Sequence, residues 1–137
     1  MEIHLDPEPF MKPFLIMLIT LFSAQGGKLL FDMLKGKKAS LGENGGMPSA
    51  HTAIIVALNV VILVETGLSM TFLVTLVLAA IVINDAMGVR YETTRHSELL
   101  NKLMKTDKYK TVGHTAIEVI MGGTIGLLIP LIVYTLL

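Results

Sequence analysis

Long apolar runs, separated by short polar stretches, dominate the chain. Two of these runs, residues 66–84 and 119–137, are 19 residues long and carry no charge. That length is close to what a helix needs to span the hydrocarbon core of a bilayer. Two further apolar stretches begin near residues 13 and 50. The pattern predicts four membrane-spanning helices at about 13–34, 49–65, 69–87 and 113–136.

The polar stretches predict how these helices are connected. Residues 36–46 carry glycine, lysine and asparagine turn signals and form the first loop. The second connection, Glu65 to Ser69, is so short that the second and third helices form a hairpin. The third, about residues 88–112, is polar but has leucines and Met104 at helical spacing, which predicts an interfacial helix. The expected fold is therefore an all-α, polytopic membrane helix bundle, with residues 1–137 as one domain.

Composition supports a membrane protein and excludes other classes. Apolar residues make up 53% of the chain and charged residues only 16%, whereas soluble domains are about 25% charged. The absence of cysteine excludes a disulfide framework and a thiolate metal site. Eleven basic residues balance eleven acidic ones, so the chain lacks the positive excess that a nucleic-acid partner requires.

The basic residues are concentrated on one side of the predicted bundle. Ten of the eleven lie in or beside the first and third connections, and four spans place these two connections on the same side. The positive-inside rule makes that side cytoplasmic, with both termini outside the cell membrane.

Polar residues within the apolar segments also gather at that side. A charged group in a spanning helix costs roughly 2.5–3.5 kcal/mol on insertion scales, so such residues are candidates for function. All of them lie at the helix end nearest the basic loops, and antiparallel helices bring them to one depth: Lys28, His51, Asp85, His114 and Glu118.

The spacing of these residues suggests particular contacts. His114 and Glu118 are four apart, which places them on one helix face. A carboxylate behind an imidazole is the base-and-orienter half of a nucleophilic site, although it is equally a structural pair joining helices. Lys28 and Lys35 are seven apart and share one helix face, where the two ammonium groups could hold an anion together. Alternatively, Lys35 is a helix-end lysine that snorkels toward water.

The run Gly45-Gly46-Met47-Pro48-Ser49 opens the second helix, with Ser49 as the candidate N-cap. Free backbone N–H groups and the helix dipole there favour an anion, but an ordinary glycine turn has the same sequence. Asp85 and Arg90 either belong to the site or form an internal ion pair.

Two further features have alternative explanations. Gly122 and Gly126 form a small-residue pair that packs either within the chain or against a second copy in a homo-oligomer. Two histidines with Asp85 and Glu118 are a conceivable metal site, but the neighbouring cations oppose a metal ion. Phosphate is the ligand that best matches clustered Lys, Arg, His and N–H groups.

These residues, in this order, resemble the type 2 phosphatidic acid phosphatase and vanadium haloperoxidase superfamily. Its pattern is K-x6-R-P, then P-S-G-H, then S-R-x5-H-x3-D. Here Lys28-x6-Lys35-Gly36 is similar to the first part, Pro48-Ser49-Ala50-His51 to the second, and His114-x3-Glu118 to the end of the third. Three departures stand out: Lys-Gly for Arg-Pro, Glu for Asp, and 23 residues between Arg90 and His114.

The match is closer to the small divergent branch of that superfamily. This branch is similar to the chain at Gln25 and Lys28, Gly45 to His51, Asp85 to Arg90, and Gly113 to Val119 followed by glycines. The resemblance covers about residues 25–126. A second arginine–histidine pair with five residues between, Arg90 and His96, is an outside candidate, because Leu100 stands where the superfamily has Asp.

The resemblance implies a metal-independent lipid phosphate phosphatase that needs no cofactor and acts on a phosphorylated lipid in the membrane. His114 would be the nucleophile, Glu118 its orienting acid and His51 the general acid and base. The substrate would be held by Lys28, Lys35, Arg90, Gly45, Gly46 and Ser49, with Asp85 beside them. Two alternatives stay open: a transporter or binding protein for an anionic solute, and a non-catalytic membrane scaffold derived from the enzyme.

Overall fold

The computed structural model describes residues 8–36, 47–109 and 112–136. Within these residues the chain forms five helices: α1 (Glu8–Leu34), α2 (Ala50–Thr66), α3 (Met70–Met87), α4 (Val89–Met104) and α5 (Ala116–Leu136). The all-helical membrane bundle expected from the sequence is confirmed. The first helix begins about five residues earlier than the sequence indicated, and Pro13 lies inside it.

The apolar helices have the lengths that a bilayer requires. In the part of the chain that the structure describes, three runs are long and apolar enough to cross a membrane: Phe10–Leu34, the part of Met70–Met104 that contains α3, and Ala116–Leu136. The shorter apolar helix α2 has 17 residues, at the lower limit of a spanning helix. Only Gly67, Leu68 and Ser69 separate α2 from α3, so the hairpin returns α3 through the layer that α2 occupies.

Helix α2 is the centre of the bundle, because α1 and α3 both pack more extensively on α2 than on α5, and α5 also packs on α2. Its buried residues include Ala53, Ile55, Ala57 and Val61, and the core as a whole is built largely from alanine and small residues. Large apolar side chains such as Phe22, Val77 and Ile132 are instead exposed on the outside. This arrangement, with small residues inside and large apolar residues outside, is the packing expected when lipid, not water, surrounds the helices.

Two glycines of α5 allow its close contact with α2. A Cβ atom added at Gly122 would overlap the carbonyl oxygen of Ser49, and one at Gly126 would overlap that of Ala53. Both glycines are buried. The Gly122/Gly126 face is therefore covered by α2 of the same chain and is not open to a second copy in this conformation.

Helix α4 differs from the others because it contains no buried residue between Val89 and Met104. Leu99, Leu100, Leu103 and Met104 are exposed along its apolar side, and of the other helices it contacts α3. Helices that carry basic residues and leave an apolar side uncovered are typical of a membrane surface. Helix α4 therefore has the character of the interfacial helix that the sequence predicted within residues 88–112.

Candidate functional site

The polar residues singled out in the sequence gather at the end of the bundle where α2 begins and α3 ends. A cavity of about 220 Å³ there is lined by His51, Ile81, Val82, Asp85, Ala86, Arg90 and His114. Its volume is about seven times the ~30 Å³ that a water molecule occupies in the liquid. The cavity therefore has room for a phosphate group beside the two imidazole rings.

His114 is the most enclosed of the polar side chains that line the cavity, with 4% of its surface exposed. It lies in the irregular segment before α5, and its backbone N–H donates to the carbonyl of Ala86 at the end of α3 (3.1 Å). The expectation that His114 occupies the first turn of the last helix is wrong, because that helix begins only at Ala116.

A capping box explains where α5 begins. Thr115 precedes the helix; its Oγ1 accepts from the N–H of Glu118 (3.4 Å), and Glu118 Oε2 accepts from the N–H of Thr115 (3.0 Å). This reciprocal pair satisfies two N–H groups that a helix start leaves unpaired. The Thr-x-x-Glu spacing of residues 115–118 is the sequence signature of this cap, and it places the start of α5 just after Thr115.

Glu118 also contacts His114, so the predicted pairing is present although the two residues do not share one helix. The Nδ1 atom of His114 lies 3.2 Å from Glu118 Oε2. A carboxylate accepts hydrogen bonds and does not donate them, so this contact places a proton on Nδ1 and leaves the lone pair on Nε2. Glu118 thus both caps α5 and selects the tautomer of His114.

Asp85 and Arg90 form the internal ion pair that was one of the two expectations. Arg90 Nε donates to Asp85 Oδ2 at 2.6 Å across the junction of α3 and α4. A guanidinium has five N–H groups in a fixed planar fork, so the bond from Nε leaves the two terminal NH₂ groups for other partners. Asp85 therefore orients Arg90 at the wall of the cavity and offsets part of its charge.

Two lysines, one in α1 and one just after it, act on the site through their charge. Lys28 is 7% exposed and does not line the cavity, but its charge acts on His51, as do those of Arg90, Asp85 and His114. Lys35 follows the end of α1 and is exposed, with its ammonium 4.4 Å from the centre of the Phe31 ring. Its charge also acts on Glu118. The charge of Lys28 therefore acts on His51, and that of Lys35 acts on the carboxylate that holds His114.

Ser49 holds the start of α2 and is not open to a ligand. It is fully buried, its N–H donates to the carbonyl of Glu118 (3.1 Å), and its Oγ accepts from the N–H (3.4 Å) and the hydroxyl (3.0 Å) of Thr52. The predicted N-cap is confirmed, but the N–H group that was expected to bind an anion is used within the chain. Gly45 and Gly46 lie outside the described residues.

His51 and His96 occupy different surroundings. His51 is in the first turn of α2 and lines the cavity with His114. His96 lies on α4 and is exposed; it is not among the residues lining that cavity. Among residues 8–36, 47–109 and 112–136, no three His, Cys, Asp or Glu side chains form a group suited to a metal ion.

Comparison with known proteins assigns the chain to a family. The profile of the Divergent PAP2 family matches residues 11–129. The chain belongs to the Divergent PAP2 family.

A Bacillus subtilis (strain 168) protein named "Uncharacterized membrane protein YuiD" is 31% identical over 145 aligned positions. The alignment covers 88% of this chain and 92% of that relative. No solved structure matches the chain. The matched residues include both histidines, the Asp85–Arg90 pair and Glu118, so the family match covers the whole candidate site.

Proposed function

We propose that this Divergent PAP2 protein is a lipid phosphate phosphatase that hydrolyses a phosphomonoester or pyrophosphate without a metal ion. The observation that carries the proposal is the buried His114, whose ring is held by Glu118 and which shares a cavity with His51 and Arg90. A buried nucleophile with an orienting carboxylate, a second imidazole and a cation is the set of groups that phosphoryl transfer through histidine requires.

In the first step, the lone pair on His114 Nε2 attacks the terminal phosphorus atom, and the bond between phosphorus and the leaving oxygen breaks. His51, protonated when the anionic phosphate is bound, gives its proton to that oxygen, so that the lipid leaves as an alcohol from a phosphomonoester and as a monophosphate from a pyrophosphate. The phosphohistidine carries its proton on Nδ1, where the carboxylate of Glu118 stabilises the cationic ring.

In the second step, His51 is neutral and accepts a proton from water as the water oxygen attacks phosphorus. The nitrogen–phosphorus bond breaks, its electron pair returns to Nε2, and inorganic phosphate is released. Both histidines then have their starting protonation states. A positioned acid or base of this kind contributes about 10²–10⁴-fold to the rate.

The phosphoryl oxygens are stabilised by side-chain cations. Arg90, oriented by Asp85, presents its terminal NH₂ groups, and Lys28 and Lys35 add positive charge from α1. Cations held in place before the reaction stabilise charge that develops in the transition state. Since the chain itself supplies this charge, the reaction needs no divalent ion.

The surroundings of the site favour a lipid as the substrate. A groove of about 450 Å³ runs between α2 and α3, lined by apolar side chains and by Asn59. It lies along the same pair of helices whose ends hold His51 and Asp85. A substrate with its phosphate in the cavity would keep its hydrocarbon chain in the membrane beside these helices.

The activity is tested by phosphate release from purified protein in mixed micelles, with phosphatidic acid and a prenyl pyrophosphate as substrates. We expect turnover that survives chelator and is inhibited by vanadate, which adopts the five-coordinate geometry of phosphoryl transfer. Labelled phosphate should become attached to the wild-type protein through an acid-labile bond, and His114→Ala should lose both label and turnover.

Other outcomes identify the alternatives. Loss of activity with chelator together with full activity of His114→Ala would contradict the histidine mechanism and favour a metal site. Uptake of a phosphorylated solute by proteoliposomes without phosphate release would identify a transporter. Wild-type cellular function of His114→Ala would identify a scaffold.

The concentration of basic residues in and beside the first and third connections also predicts the orientation in the membrane. The basic connections face the cytoplasm, and the termini and the α2–α3 turn face outward. The chain has no cysteine, so single cysteines are labelled on a clean background. Leu68→Cys should react with an impermeant maleimide in intact cells and Lys105→Cys only after permeabilisation; the reverse pattern would invert the orientation.

A further inference from the structure

The segment that carries His114 is fastened to the surface helix α4 by the hydroxyl of one residue, Thr94. Its Oγ1 accepts from the backbone N–H of Val112 (3.0 Å) and from that of Gly113 (2.8 Å). The same hydroxyl donates to the carbonyl of Arg90, four residues earlier in α4 (3.1 Å). A threonine hydroxyl has one donor and two acceptor sites, so all three are used.

The two backbones that Thr94 joins are in direct contact. A Cβ atom added at Gly113 would overlap the carbonyl oxygen of Arg90 and the Cα atom of Tyr91. Glycine is therefore needed at position 113, and its N–H donates to Thr94 Oγ1 at that close approach. The next residue along the chain is His114, and Arg90 lies in the first turn of the helix on the other side.

From this arrangement we propose that Thr94 is a positioning residue, which sets the nucleophile His114 relative to Arg90; the inference rests on the proposed phosphatase function. Glu118 fixes the ring of His114, and Ala86 accepts from its backbone N–H. Thr94 adds the contact to α4, and thereby couples the nucleophile to the helix that carries the phosphate-binding cation.

Loss of the Thr94 hydroxyl should change the distance between the reacting groups more than the stability of the fold. A misplacement of about 1 Å between reacting groups costs on the order of 10²-fold in rate. Without the hydroxyl, the N–H groups of Val112 and Gly113 lose their partner, and the segment before His114 is free to move away from Arg90. The cations themselves stay in place, so substrate binding should change less than turnover.

The same connection contains a matched control at its other end. Asn101 Nδ2 donates to the carbonyl of Tyr109 (2.8 Å), and Asn101 Oδ1 accepts from the N–H of Tyr109 (3.1 Å). These are also two hydrogen bonds between α4 and the connection to α5. They lie away from His114. Removing them therefore weakens the connection without changing the position of the nucleophile.

The test measures kcat and KM for the lipid phosphate that the wild type hydrolyses. Thr94→Val keeps the branched shape and removes the hydroxyl, and we expect kcat to fall about 10- to 100-fold with KM within about threefold. Thr94→Ser retains the hydroxyl and should restore kcat to within about threefold. Asn101→Leu should also stay within about threefold. If Thr94→Val does not fold, Thr94→Ala removes the hydroxyl without the bulk.

Three kinetic results would overturn the inference. The first two are an unchanged kcat in the folded Thr94 variant that lacks the hydroxyl, and an equal loss in Asn101→Leu. The second result would mean that any weakening of the connection lowers the rate. Equal losses in Thr94→Ser and Thr94→Val would also contradict it, because the hydroxyl would then be irrelevant.

A spectroscopic readout separates this inference from the proposed function. The chain has four histidines, so the ring ¹⁵N resonances are assigned by substituting each in turn. Thr94→Val should shift or broaden the His114 resonances, whereas Asn101→Leu should leave them unchanged. If the wild type hydrolyses no lipid phosphate, the phosphatase proposal fails, and the positioning role is still decided by these spectra. Unchanged His114 resonances in Thr94→Val would refute it.

Discussion

The two ends of the helix bundle hold their polar side chains in different ways. At the end beside the basic connections, His114 and Lys28 are buried, and a cavity opens between His51, Arg90 and Asp85. At the opposite end, Tyr134 donates a short hydrogen bond to Glu65, and the Lys12 ammonium lies 4.9 Å from the centre of the Tyr134 ring. That cluster joins the ends of α1, α2 and α5 at the protein surface.

The difference shows what each end is suited for. Burying ionisable groups is costly unless they are paired, and groups kept buried around a cavity are the usual basis of a reactive site. An exposed hydrogen bond between helix ends costs little and supplies modest stability. Substitutions at the cavity end should therefore change the reaction rate, whereas substitutions at the opposite end should change stability alone.

After the loss of turnover expected for His114→Ala, the largest effect is expected from His51→Ala. Removing the general acid and base should lower turnover by about 10²–10⁴-fold, with an unchanged helical circular dichroism signal, because His51 lies at a helix start and is exposed. The rate of phosphate release from micellar substrate measures the loss of turnover. Full activity of the folded variant would remove His51 from the mechanism.

Glu118→Gln separates the two tasks of Glu118. Glutamine also forms a capping box, so α5 should keep its start and its stability. The charge behind His114 is lost, and turnover should fall about 10²-fold or more, since replacing the acid of a triad by its amide has a large effect on rate. The binding of vanadate should weaken less than turnover. Glu118→Ala, which loses the cap as well, should in addition unfold at lower denaturant concentration.

Substitutions in the middle of the bundle, where α5 packs against α2, should change the stability of the fold. A methyl group at Gly126 would overlap the backbone of Ala53, whereas one at Gly123 would lie 3.8 Å from Thr52 Cγ2, an ordinary contact. Gly126→Ala should therefore destabilise the fold by about 1–3 kcal/mol, and Gly123→Ala should be neutral or stabilising. Loss of helical signal during titration with sodium dodecyl sulfate compares the two. Equal behaviour would mean that α5 does not pack against α2 through Gly126.

The smallest effect is expected at the opposite end. Tyr134→Phe removes the hydroxyl that binds Glu65 and should cost about 0.5–1.5 kcal/mol of stability, measured by the same titration. Glu65→Gln keeps an acceptor and should cost less. Turnover should be unchanged in both variants. A large fall in turnover would show that the two ends are coupled, and the distinction between them would fail.

Much of the candidate site followed from the sequence because it depends on position along single helices. Lys28, His51, Asp85 and Glu118 each lie near one helix end, and antiparallel spans must bring those ends together. The capping box at Thr115 was also readable, from its Thr-x-x-Glu spacing. The contacts of Thr94 could not be predicted in this way, because a threonine within an amphipathic helix has no sequence feature that identifies a backbone partner 18 residues away.

What the sequence determined by itself was the membrane class, the helices and the side on which their polar ends lie. These depend on the length of apolar runs and on the order of charges, which are properties of the chain alone. The tertiary structure decided that α2 is the central helix, that Gly122 and Gly126 face it, and that Ser49 uses its N–H within the chain. In a lipid environment both the outside and the inside of the bundle are apolar, so hydropathy does not distinguish the buried face of a helix. Close packing of small residues makes that choice, and it becomes visible only when the helices are placed side by side.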